Sequence, residues 1–251
     1  MYIKETVVNS ALQHDSKKAF SKGLRDGIPI CLGYLSVSFA FGVMCTENGL
    51  PFWVAVLISM TNLTSAGQFA GTGLILAGGG FVEIAVTTFV INIRYMLMSL
   101  SLSQKADPAM TTGQRLLLSM GITDEVFGVC SQQKGTLTAA YMAGLIFLPY
   151  FGWAFGTLAG STITGLLPAM VRSALGIAIY GMFMAIIVPP SKQLRPIAVT
   201  VILAACLSIL ISFLPLLREI SAGWRIILCA VLASLYSAVR YPAPEEEASK
   251  A

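Results

Sequence analysis

Long apolar runs separated by short breaks of polar, glycine or proline residues make up most of the chain. They fall at about Ile28–Cys45, Phe52–Ala77, Phe81–Ser101, Leu116–Ser131, Leu137–Ile163, Leu167–Val188, Pro196–Leu216 and Trp224–Val239. Most approach the ~20 residues that carry a helix through the roughly 30 Å hydrocarbon core of a bilayer. Only helices and closed barrels satisfy their own backbone groups there. A barrel would show strands of about ten residues that alternate in polarity, and a run such as Val199 to Leu217 does not alternate. The pattern therefore predicts an all-α, polytopic membrane bundle of about seven or eight transmembrane helices. A polar tail over 1–27, a single transmembrane domain over 28–240 and a second polar tail over 241–251 complete the predicted organisation.

Two runs depart from a plain lipid-facing span. The second holds Asn62, Thr64, Ser65 and Gln68 among Gly67, Gly71 and Gly73, which predicts a broken helix. The fourth contains Thr123, Asp124 and Glu125, so a full span and an interfacial or re-entrant segment both stay open. An internal repeat is also suggested. Tyr34, Phe39-Ala40-Phe41-Gly42 and Gly49-Leu50-Pro51 are echoed by Tyr150, Trp153-Ala154-Phe155-Gly156 and Gly165-Leu166-Leu167-Pro168. Transporters are often built from such duplicated units with the binding site between them.

Composition strengthens the membrane assignment, because 56% of the residues are hydrophobic and only 11% charged, against roughly 25% charged in a soluble domain. The mean hydropathy is +0.78. Cys31, Cys45, Cys130, Cys206 and Cys229 sit in or beside apolar runs without metal-ligand spacing and read as small hydrophobic residues. The net charge of +4 comes with no long basic run, which leaves nucleic-acid binding without support. Lys4, Lys17, Lys18, Lys22 and Arg25 precede the first run, with no small-residue cleavage site after it, so the segment is not read as a signal peptide. By the positive-inside rule they place the N-terminus in the cytoplasm. Eight crossings would bring Lys192, Arg195 and Arg240 to that side too, while Arg218 and Arg225 would lie outside.

Candidate chemistry is confined to a few positions. The break from Asn62 to Gly73 could offer free backbone groups to a zwitterion or hold side chains bonded to neighbouring helices. Asn92 and Arg94 interrupt the third run. A charge near the bilayer centre costs on the order of 3 kcal/mol, so Arg94 needs a partner, and Asp124 or Glu125 on the following segment is the acidic candidate. The pair is either structural or part of a substrate or proton site, and Asp124 and Glu125 are the proton-coupling candidates. Gly67 with Gly71, and Gly152, Gly156 and Gly160, form faces for close helix packing; for the second set, packing within the bundle and contact with another subunit are the alternatives. Glu47, Glu83 and His14 are expected in contact with water. No metal site or phosphate-binding loop is apparent and no cofactor is expected. An intramembrane enzyme would need a base opposite Ser99 or Ser101, and the one histidine lies in the tail.

Several motifs together carry a family resemblance over about Gly23 to Val239. They are Asp26-Gly27-Ile28-Pro29, Gly33-Tyr34, Phe39-Ala40-Phe41-Gly42, Ser65-Ala66-Gly67-Gln68-Phe69, Asn92-Ile93-Arg94-Tyr95, Leu97-Met98-Ser99-Leu100-Ser101 and Thr123-Asp124-Glu125-Val126-Phe127. In these the chain resembles the AzlC family, the large subunit of bacterial branched-chain amino acid exporters. Many members have Ala-Gly-Ala-Ser-Gln-Phe where this chain has Leu63 to Phe69, and His in place of Tyr95. The resemblance implies a secondary transporter that exports valine, leucine, isoleucine and methionine across the plasma membrane with a small AzlD-like membrane subunit. Proton coupling is the expected drive. A transporter of such substrates needs a polar grip on the amino acid backbone and an apolar wall. The expected residues are Ser65, Gly67 and Gln68 for the grip, Asn92 and Arg94 lining or bracing the cavity, and Phe69 or Phe41 against the side chain. A passive channel, or export of another small metabolite, is the alternative.

Overall fold

The computed structural model describes residues 2–168, 170–171, 174, 184, 187–214, 217 and 219–242, with side chains from residue 16 onward. Its helices are α1 (Tyr2–Glu47), α2 (Phe52–Thr61), α3 (Ala66–Leu76), α4 (Phe81–Ser103), α5 (Thr112–Ser119), α6 (Asp124–Gln132), α7 (Ala139–Ile163), α8 (Arg195–Phe213) and α9 (Ala222–Arg240). The described residues form no strand, only one isolated bridge between Ala106 and Leu137. Among the described residues five segments are long and apolar enough to cross a bilayer: Ser16–Glu47, Phe81–Ser103, Ala139–Leu166, Arg195–Phe213 and Ala222–Arg240. The expected span Leu167–Val188 lies for the most part outside the described residues. The first helix reaches back to Tyr2 instead of beginning near Ile28. Its added length carries helix-forming Lys, Glu, Gln and Ala and has no proline before Pro29.

Two compact units make up the chain. The first comprises Met1–Thr64 with Arg94–Leu167, and the second Ser65–Ile93 with Pro168–Ala251. The first is built on α1 against α7. A side chain on Gly27 would come within 2.7 Å of the Leu145 carbonyl oxygen, and one on Gly156 within 2.7 Å of that of Leu35. Gly152 lies against Cys31 and Gly160 against Phe39. Residue numbers rise together on both helices, so α1 and α7 run parallel. The stripe Gly152, Gly156 and Gly160 thus serves packing within the chain, where glycine lets two backbones approach. The aromatic parts of the suggested repeat, Tyr34 to Gly42 and Tyr150 to Gly156, lie on these two helices, and Tyr34 packs edge-on against Trp153, their rings 4.9 Å apart.

The fourth apolar run is a hairpin of two short helices. A cavity of about 690 Å³ at the start of α5 is bordered by Gln114, Ser16, Lys22 and Ala139, which sets that start level with the N-terminal part of α7. By Gly121 the chain has climbed to Ile146, and at Thr123 it reaches the Tyr34 hydroxyl. From there α6 descends to Gln133, whose side-chain oxygen accepts a hydrogen bond from Lys22 at 2.5 Å. The Lys105 ammonium donates to the carbonyls of Ser131 and Gln133 at 2.7 and 2.9 Å, and Leu137 N–H donates to the Lys105 carbonyl at 2.7 Å. Both ends of the hairpin therefore sit at one end of the α1–α7 pair and its tip sits halfway along. Of the two forms open to this run, the structure takes the re-entrant one. Lys22 and Lys105 share that end, so the chain crosses an even number of times between them.

In the second unit α8 and α9 pair antiparallel, with Thr200 and Ser237 hydroxyls 2.5 Å apart and Arg225 donating to Ser212 at 2.8 Å. Gly71 faces the Thr88 hydroxyl. Glu83, expected in water, is instead 9% exposed. Its Oε1 accepts hydrogen bonds from the Ser221 hydroxyl and, at 3.0 Å, from Gly223 N–H. The reason is that the first turn of α9 presents unsatisfied N–H groups, and a carboxylate on a neighbouring helix closes them.

Candidate functional site

A cluster of polar and charged side chains forms within the first unit at the tip of the α5–α6 hairpin. Thr123 caps α6, its side-chain oxygen accepting the Val126 N–H at 3.4 Å, so Asp124 and Glu125 occupy the first turn, where the helix dipole favours negative charge. Arg94, about midway along α4, pairs through Nη1 with Asp124 Oδ1. The two side chains are 37% and 34% exposed, so the pair borders open space and is not sealed in the core. Arg94 Nη2 donates to the Tyr95 hydroxyl at 2.8 Å, and the guanidinium lies 4.4 Å from the Tyr95 ring centre. The Tyr95 hydroxyl donates in turn to the Thr64 carbonyl at 3.1 Å, with Asp124 Oδ2 further off at 3.5 Å.

On the other side of the tip stands Tyr34, 7% exposed in the middle of the first span. Its hydroxyl is 2.6 Å from both Thr123 Oγ1 and Glu125 Oε2. Glu125 itself is exposed. Trp153 beneath is buried and, with Val126 and Leu63, belongs to the apolar core of the unit. The arrangement holds a guanidinium, two carboxylates and a main-chain carbonyl within reach of one another at half the depth of the crossing helices. An ion of either sign, or a molecule carrying both, finds complementary groups there.

The expected pairing of Arg94 with an acid is met by Asp124, and Glu125 joins the same cluster. Ser65, Gly67, Gln68, Phe69 and Asn92 belong to the second unit. The helix break falls where the sequence predicts, with α2 ending at Thr61 and α3 beginning at Ala66. Ser65 sits at the start of α3 with φ at +47°. Gly67, Gln68 and Phe69 are buried on α3, and Gln68 is wholly enclosed. Asn92 Oδ1 is enclosed without a hydrogen-bond partner. Tyr34, Tyr95, Thr64 and Thr123 were not singled out as site residues from the sequence. The available signal was a tyrosine in the middle of an apolar span, since a buried hydroxyl requires a partner.

The family described as AzlC protein matches residues 29–167, an interval holding every residue of this cluster. Over 236 residues the chain is 30% identical to the inner membrane protein YgaZ of Escherichia coli, covering 90% of this chain and 94% of that protein. An uncharacterized membrane protein of Archaeoglobus fulgidus is 31% identical over 182 residues, 70% of this chain and 78% of its own length. One from Helicobacter pylori is 29% identical over 154 residues, 60% and 66% respectively. No solved structure matches. With its apolar helices and a family match running from Pro29 in α1 to Leu167 just past α7, this membrane protein belongs to the AzlC protein family.

Proposed function

We propose that the chain is the large subunit of a secondary transporter that exports branched-chain amino acids across the bacterial plasma membrane. Its substrates are valine, leucine and isoleucine, with methionine as a further one, and inward proton flow drives export. Family membership and the membrane-protein relatives support the coarser part of this reading, a membrane transporter subunit. The observation that carries the placement of the transport path is the Arg94–Asp124 pair at the tip of a re-entrant hairpin, while the substrates follow from the family resemblance. Charge so deep among apolar helices points to a transport path, and half-helix ends at mid-depth are where such proteins bind substrate.

Arg94 meets the carboxylate of the amino acid. Within the second unit, Ser65, Gly67, Gln68, Phe69 and Asn92 are the further proposed substrate-binding residues, taken by themselves. A small AzlD-like membrane subunit completes the exporter. The N-terminus is cytoplasmic, supported by Lys17, Lys18, Lys22, Arg25, Lys105, Arg115 and Lys134 gathering at one end of the first unit. At its other end the described residues include Glu47 and no lysine or arginine.

Cells loaded with a valine-containing dipeptide test the reading through the rate of valine efflux. Efflux should be lost without this chain, return only when both subunits are supplied, and run uphill until an uncoupler is added. Unchanged valine efflux in the deletion strain would exclude branched-chain export, and downhill flux indifferent to the uncoupler would favour a passive channel. The grip is tested separately: Arg94→Ala and Gln68→Ala should each lower valine export at least tenfold, and normal export would remove the residue from the site.

A further inference from the structure

We infer that, of the two adjacent acids at the hairpin tip, Glu125 carries the coupling proton while Asp124 stays bound to Arg94, with the Tyr34 hydroxyl as the relay that keeps Glu125 hydrogen-bonded in both charge states. This rests on the proton-coupled reading above and assigns its two candidate acids different tasks. Asp124 is committed, since Oδ1 is held by the guanidinium and Oδ2 faces the Tyr95 hydroxyl. A proton on Asp124 would strand the Arg94 charge among apolar helices. Glu125 has no cation as hydrogen-bond partner among the described residues, and its partner Tyr34 is neutral. The titratable and charged groups around it are Tyr34 from α1, Arg94 and Tyr95 from α4, and Asp124 beside it on α6.

The Tyr34 oxygen carries one proton and has two oxygen neighbours, each at 2.6 Å. With Glu125 ionised, Tyr34 donates to Glu125 Oε2 and the Thr123 hydroxyl donates to Tyr34. With Glu125 protonated, the carboxyl O–H donates to the Tyr34 oxygen, Tyr34 turns its own proton to Thr123 Oγ1, and the Thr123 hydroxyl proton swings aside. Thr123 Oγ1 can keep accepting the Val126 N–H throughout. One proton joins or leaves the carboxyl, two hydroxyls rotate, and neither Tyr34 nor Thr123 loses a proton. A carrier group benefits from a hydrogen-bond partner in both charge states, because losing a partner on changing charge is costly, and Tyr34 partners the Glu125 carboxyl in both.

Infrared difference spectroscopy of the purified full chain, titrated without substrate, reads the protonated carboxyl directly, and a pH dye inside liposomes reads proton movement when valine is added. Glu125→Gln should remove the titrating carboxyl band and lower valine-linked proton movement at least tenfold. Asp124→Asn should keep the band. Tyr34→Phe, which retains the ring against Trp153, should keep the band, shift its titration midpoint and lower valine-linked proton movement about tenfold. A band that survives in Glu125→Gln and vanishes in Asp124→Asn overturns the assignment, and an unmoved midpoint and undiminished proton movement in Tyr34→Phe overturn the relay. Wild-type protein that shows the Glu125 band but moves no proton with valine, leucine or isoleucine overturns the proton-coupled export reading and leaves the carboxyl assignment supported.

Discussion

At the residue scale, Arg94 is held by three different interactions: a salt bridge to Asp124, a hydrogen bond to Tyr95 and the face of the Tyr95 ring. Each partner is about a third exposed, so water screens part of the attraction. Breaking the pair still leaves one charge without its counterpart at depth. Arg94→Ala is expected to lower unfolding stability in detergent by about 1–3 kcal/mol. The double variant Arg94→Ala with Asp124→Ala should recover part of the loss, since the orphaned carboxylate goes too. Equal losses in the single and double variants would show that the charge pairing is not what destabilises. The need of Arg94 for an acid was legible from its position in an apolar run. That Asp124 and not Glu125 would be chosen was not, because both lie in the first turn of α6 and only the packing of that turn against Tyr34 and α4 separates them.

At the element scale, two devices shape the first unit: the glycine contact between α1 and α7 and the hairpin α5–α6. A side chain on Gly156 would collide with the Leu35 main chain, whereas Gly165 has nothing within 4 Å. Gly156→Val should therefore cost several kcal/mol or abolish folding, as overpacking against a main chain does, while Gly165→Ala stays within about 0.5 kcal/mol. Thermal unfolding of the two purified variants checks the contrast, and similar midpoints would rule out the close approach. The glycine spacing on α7 was visible in the sequence but its partner was not. Small residues at every fourth position state that a helix can be approached closely, not by which neighbour. The hairpin was half legible in the same way. Thr123, Asp124 and Glu125 left the fourth run open between a full span and an interfacial or re-entrant segment, but which end of the bundle the chain returned to depended on Lys22, Lys105 and Gln133 meeting there.

At the scale of the whole molecule, the hairpin sets the order of faces along the chain. Eight successive crossings would put the loops around Lys105 and Lys134 on opposite sides, whereas the re-entrant hairpin puts them on the same side as Lys22. In a background with the five cysteines replaced, cysteines at 105 and 134 should both resist a membrane-impermeant thiol reagent applied outside intact cells, and one at 49 should react. Opposite labelling of 105 and 134 would restore the extra crossing. The sequence by itself determined the solvent and the class, since residue after residue of apolar side chain leaves the bilayer as the only medium in which the chain can be stable. It also marked where helices break and which charge at depth needed a partner. The tertiary structure decided which runs cross and which turn back, that Glu83 closes the start of α9 and does not face water, and which acid Arg94 holds. These depend on contacts between residues far apart in the chain, and the same local pattern is compatible with either outcome until the long-range packing forms.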